Sequence, residues 1–197
     1  IEVDNGTAIT VGSGGIFNVT TNEVLRDLGN GTNTLDIQAG GTFHKSTGTL
    51  TSQVEVAVSN AGTIDIDTGT VEFFAGLTSS GTIDIAAGDI TLDDGASLFV
   101  GEGGTFNITA DRSMLDGGTG TNTISIESGS TLHKLAGTGA STFAVGFNLD
   151  GNVQADSGDL TFNGGGTLAG DITTDSGTAR VRFSAGSVTV DGYTTVS

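Results

Sequence analysis

The feature that most constrains this chain is a gapless match to itself. With Ile1 laid over Ile90, residues 1–89 align with residues 90–178, and about a third of the positions are identical. Phe17-Asn18 meets Phe106-Asn107, Gly31-Thr32-Asn33-Thr34 meets Gly120-Thr121-Asn122-Thr123, and His44-Lys45 meets His133-Lys134. Of the glycines in the first copy, only Gly41 lacks a glycine partner. Glycine is favoured where the backbone needs positive φ or a close approach, so copies that share their glycines share their turns. A third copy begins at Ala179, slightly out of register: Gly186 lies a little beyond the place that Gly95 predicts.

A finer period runs inside each copy. Gly62-Thr63-Ile64-Asp65-Ile66 recurs after a short step as Gly81-Thr82-Ile83-Asp84-Ile85, and Gly69 and Gly88 keep the same step. Between such glycines the pattern alternates, isoleucine on one side and aspartate on the other, as in a half-buried strand. Short strands are predicted at 34–37, 54–58, 70–74, 90–92, 106–109, 123–126 and 180–183. Only 21–28 and its partner 110–115 leave room for a turn of helix. A unit of about 19 residues cannot bury its own apolar face, and stacking similar units solves that problem. The expected fold is all-β: a right-handed parallel β-helix, or β-solenoid, with coils of about 19–23 residues and an 89-residue superrepeat. The chain reads as a single solenoid domain over 1–197, with superrepeats 1–89 and 90–178 and a partial third at 179–197. Two tandem β-sandwiches are the rival fold, but sandwiches seldom repeat so short a unit and carry more aromatic core.

Composition narrows the function. Six basic residues against 23 acidic ones give a net charge of −17. Binding nucleic acid requires clustered Lys and Arg, which this chain lacks. No apolar run is long enough for a membrane-spanning helix. Proline is absent, in keeping with coils that donate N–H groups to their neighbours, and cysteine is absent, which removes disulfides and thiol chemistry. The chain starts at Ile1 rather than Met, as a processed form or an excised piece would.

The stretch Gly62-Thr63-Ile64-Asp65-Ile66-Asp67-Thr68-Gly69-Thr70-Val71-Glu72-Phe73, preceded by Ser59-Asn60-Ala61, resembles the repeat unit of large secreted bacterial β-solenoids of the filamentous, adhesin and autotransporter-passenger kind. In those repeats a Lys often follows a Gly-Thr-Leu strand and precedes a Gly-Thr. Here Gly41-Thr42-Phe43-His44-Lys45 stands before Gly48-Thr49, and Ser130-Thr131-Leu132-His133-Lys134 before Gly137-Thr138. The resemblance implies a secreted or cell-surface structural protein: a segment of a filament, stalk or matrix fibre that extends head-to-tail with copies of itself through open strand edges. The alternative is an adhesin segment that binds glycans or other cell-surface components. That role calls for an exposed aromatic row, which Tyr193 and scattered phenylalanines do not clearly supply. No enzyme activity is expected, because two near-equal halves with few basic residues offer no unique asymmetric cleft.

The candidate sites follow from stacking. Asp65 and Asp84 should lie one above the other, where like charges destabilise unless salt or Ca²⁺ intervenes. They are the candidate metal residues, and calcium is the candidate cofactor. His44, Lys45, His133 and Lys134 hold every histidine and lysine of the protein and are repeat-equivalent surface candidates. The lysines are expected to neutralise nearby carboxylates. Gly117-Gly118-Thr119-Gly120-Thr121-Asn122-Thr123-Ile124 resembles the calcium-binding nonapeptide of β-rolls, but Asn replaces the key Asp in it, and at Asn33 in its partner. That points instead to a glycine-rich corner. Asn5, Asn18, Asn30 and Asn107 stand in Asn-x-Thr sequons and are glycosylation candidates.

Overall fold

The computed structural model describes residues 1–197 apart from Ser176 and Tyr193. Every strand pairing among the described residues is parallel, and the strands form three sheets of nine, nine and eight. The first sheet runs from Glu2–Val3 to Arg180–Phe183, the second from Ala8–Val11 to Val188–Val190, and the third from Ile16–Val19 to Ile172–Thr174. Successive strands visit the sheets in rotation, so the chain winds through about nine turns of a β-solenoid. Separate sandwich modules are thereby excluded: all three sheets continue from the first superrepeat into the second.

Alternation builds the core. On the third sheet the inward ladder is Phe17, Phe43, Ile64, Ile83, Phe106, Leu132, Val153 and Ile172, each the register partner of the next. On the second it is Ile9, Leu35, Val58, Leu77, Leu98, Ile124 and Phe147. In both sheets four steps carry a residue onto its superrepeat equivalent, as Ile9 to Leu98 and Phe17 to Phe106. Here the superrepeat and the stacking register coincide. The matched unit Gly-Thr-Ile-Asp-Ile follows from this geometry: isoleucines point in, Thr and Asp point out, and Gly turns the corner. A Cβ on Gly62 would lie 2.3 Å from the Gly41 carbonyl oxygen, and one on Gly81 2.2 Å from that of Gly62, so these corners accept no side chain.

Three expectations are corrected. Coil length varies more widely than the sequence period suggests. The shortest coils carry Thr70 onto Asp89 and Thr51 onto Thr70; the longest, about half as long again, carry Leu25 onto Val54 and Met114 onto Phe143. The extra residues sit in loops outside the sheets, which period counting does not register. The segment 54–58 is not one strand; Thr51–Val54 ends, Val56 points inward at a corner, and Ala57–Asn60 begins the next sheet. Alternation continues through such a corner and hides it. Finally, 21–28 and 110–115 hold strands, Val24–Asp27 and the start of Met114–Asp116, instead of a helical turn.

Candidate functional site

The outer face of the third sheet gathers most of the candidate residues. One outward row reads Asn18, His44, Asp65, Asp84, Asn107, His133, Gln154 and Thr173, again as consecutive register partners. Beside it runs a row of five half-buried threonines: Thr42, Thr63, Thr82, Thr105 and Thr131. Parallel stacking therefore converts polar residues scattered along most of the chain into a linear display.

Asp65 and Asp84 are direct neighbours in this row, as the spacing of the two Gly-Thr-Ile-Asp-Ile units requires. Their side chains, however, take different company. Asn107 Nδ2 donates to Asp84 Oδ1 at 2.8 Å. Asp65 instead joins His44 and Asp67, and ligand atoms of these three all lie within 4.8 Å of one another. His44 Nε2 stands 2.8 Å from Asp67 Oδ2 and 3.7 Å from Asp65 Oδ2. The Asp67 backbone N–H donates to the Lys45 carbonyl at 3.0 Å, which places its carboxylate beside the imidazole. Burial pushes the Asp65 carboxyl above its usual range, Asp67 and Asp84 push it the same way, and His44 partly opposes them.

The second superrepeat repeats the imidazole and the carboxylate of Asp67 but not that of Asp65. His133 Nε2 lies 2.9 Å from Asp156 Oδ2. Gln154 occupies the place of Asp65, and its Nε2 donates to Asp156 Oδ1 at 2.8 Å. Burial alone would raise the Asp156 carboxyl, but the adjacent His133 imidazole and the hydrogen bond from Gln154 hold it below its usual range. Asp67 and Asp156 were absent from the sequence-derived set. Their signal was present: both are aspartates at equivalent positions, one alternation beyond Asp65 and Gln154.

Neither lysine is a surface residue. Lys45 and Lys134 are fully buried, because both occupy inward positions, Lys45 between Val19 and Ile66 and Lys134 between Ile108 and Ala155. Lys134 Nζ donates to Asp111 Oδ1 at 2.9 Å, Ala136 O and Ser141 Oγ at 3.0 Å, and Ala110 O at 3.2 Å. Asp111 is held below the usual carboxylate range chiefly by the Lys134 hydrogen bond. Lys45 Nζ donates to carbonyls only, Thr21 at 2.8 Å, Gly48 at 3.3 Å and Thr47. Asn22 stands where the second copy has Asp111, and burial lowers the Lys45 ammonium pKa. Neutralisation by a carboxylate therefore holds for Lys134 but not for Lys45.

The glycine-rich motifs are corners. Asn122 Nδ2 donates to Asp116 Oδ1 at 2.8 Å and to Thr119 O, while its Oδ1 accepts from the Gly95 N–H at 3.0 Å. Asn33 likewise donates to Asp27 Oδ1 at 2.7 Å and accepts from the Thr7 N–H at 2.7 Å. These buried amides clamp one coil to the next, a task an Asp could not perform because it has no N–H to donate. Of the sequon asparagines, Asn5 and Asn30 are exposed at corners. Asn18 accepts from Ser46 Oγ at 2.7 Å, and Asn107 is tied to Asp84. Tyr193 lies outside the described residues. No protein-family model, curated protein or solved structure matches the chain.

Proposed function

We propose that this chain is a structural β-solenoid segment of an extracellular filament, stalk or matrix fibre, lengthened head-to-tail through its strand edges. The observation that carries this reading is that three parallel sheets run through all the coils, the first and last of which keep the inward pattern of the interior ones. At the first coil Ile1 is exposed and the inward Ile9 and Phe17 are only partly buried, and an apolar cavity of about 210 Å³ opens among Ile1, Phe17, Val19, Val24, Leu25, Phe43 and Val54. In the last coil Val188, Val190 and Val196 are exposed. Parallel strand edges with apolar interiors invite another coil, supplied by the same chain or by a second copy. A heterologous contact of this kind propagates instead of closing. A strongly acidic chain suits surroundings whose salt screens its charge, as secretion or surface display provides.

The test is sedimentation velocity and negative-stain electron microscopy of residues 1–197 over a concentration series. The reading expects oligomers whose length grows with concentration and whose width is that of one solenoid. Monodisperse short rods at every concentration overturn self-assembly. Binding to a glycan array without oligomers shifts the assignment to an adhesive segment.

A further inference from the structure

We propose that His44 Nε2 and the carboxylates of Asp65 and Asp67 form a binding site for one divalent transition-metal ion of the zinc type, which the second superrepeat has lost. The ion would be a fixed charge on the outer ladder, independent of how the solenoid assembles.

Zinc bonds imidazole nitrogen and carboxylate oxygen at about 2.0–2.2 Å, which separates neighbouring ligand atoms in a tetrahedron by roughly 3.3–3.5 Å. The separations from His44 Nε2, 2.8 Å to Asp67 and 3.7 Å to Asp65, bracket that value. The third separation, between the two carboxylates, is within 4.8 Å, so the side chains draw together to complete three corners of the tetrahedron and leave the fourth to water. The backbone already sets the spacing: His44 and Asp65 are register partners, and Asp67 is pinned to the Lys45 carbonyl. One imidazole and two carboxylates suit zinc and its neighbours in the transition series better than calcium or magnesium, which prefer six or more oxygens or a mostly hydrated shell.

Asp65, Asp67 and Asp84 crowd one stretch of the ladder, and the nearest lysine turns its ammonium inward to backbone carbonyls. In the second copy the same crowding is absent: Gln154 replaces Asp65, Thr173 replaces Asp84, and the Gln154 amide donates to Asp156. There the Gln154 amide N–H stands where the first copy has the Asp65 carboxylate. A cation between His44, Asp65 and Asp67 would offset that charge.

Because the chain has only two histidines, the two copies can be watched separately in one tube. Full-length protein labelled with ¹⁵N is titrated with ZnCl₂ in a non-coordinating buffer and followed by long-range ¹H–¹⁵N imidazole spectra and calorimetry. The expected result is one ion per chain, a displaced His44 Nε2 resonance and an unmoved His133. Asp65→Gln copies the second superrepeat, so the fold already accepts it there, and it should lose at least the ~10-fold affinity that an outer-shell partner supplies. Gln154→Asp should raise the stoichiometry from one to two and bring His133 into the titration. Circular dichroism and thermal midpoints establish that both variants are folded. Equal displacement of both histidines, no displacement at millimolar zinc, binding indifferent to Asp65→Gln, or displacement of zinc by equimolar CaCl₂ would each overturn the assignment.

Discussion

Lys45 and Lys134 occupy one place in two successive superrepeats, yet their surroundings diverge. Lys134 has a carboxylate, a hydroxyl and two carbonyls; Lys45 has three carbonyls. The aromatic cores differ as well. The second copy builds a contiguous cluster in which Phe143 lies 5.9 Å from Phe106 and 5.1 Å from Phe162, and Phe147 lies 5.2 Å from Phe162. The first copy has Val54 and Val58 at the positions of Phe143 and Phe147, and stacks only Phe17 on Phe43 at 5.8 Å. One backbone thus carries two solutions, with aromatic mass and a buried lysine paired to an exposed carboxylate in the second half, and smaller aliphatics and a carbonyl-solvated ammonium in the first. Stacked repeats couple mainly to their neighbours, so such differences should stay local.

The largest expected contrast is in the core. Phe143→Ala should cost about 3–5 kcal/mol, whereas Val54→Ala at the equivalent site should cost about 1.5 kcal/mol. Urea unfolding of both variants measures the gap, and equal losses would mean that the aromatic cluster adds nothing beyond ordinary burial. A smaller effect comes from exchanging the lysine partners. Asp111→Asn should destabilise by about 1 kcal/mol, a charged hydrogen bond discounted because the carboxylate is partly exposed. Asn22→Asp should gain a similar amount, since it gives Lys45 a carboxylate and keeps the acceptor that now serves the Leu50 N–H at 3.0 Å. If Asn22→Asp destabilises, the carbonyl cage of Lys45 is already sufficient and the contrast between the copies is not energetic.

The smallest effect is on pH dependence. The Asp111 carboxyl titrates below its ordinary value in the folded protein, so the folded state binds fewer protons than the unfolded one near that value. Its contribution is present above the unfolded carboxylate range and disappears as pH falls through the lower folded value. Thermal midpoints taken from neutral pH into acid should therefore decline less steeply in Asp111→Asn than in the parent chain. Parallel acid limbs would remove Asp111 from the account.

Much of the architecture was legible along the chain. The step between the Gly-Thr-Ile-Asp-Ile units placed Asp65 on Asp84, and the stacked register bears this out. Alternation through Thr42-Phe43-His44-Lys45 even predicts an inward lysine, since Phe43 and Lys45 share a side; the expectation that charge belongs outside overrode it. The carbonyls of Thr21, Thr47 and Gly48 that make burial tolerable come from loops on two coils, and nothing local announces them. The company of Asp65 was equally hidden. His44 lies one coil before Asp65, as Asp65 lies one coil before Asp84, but the earlier coil is slightly longer because its loops differ.

By itself the sequence determined that the chain stacks short coils, which residues face inward, and where the backbone must turn without a side chain. These are properties of alternation and glycine spacing, carried by neighbouring residues. Only the tertiary structure decided which coil meets which at each height, and so which charges share a neighbourhood. Interactions between coils depend on loop lengths that periodicity averages away, while electrostatics changes over a few ångströms.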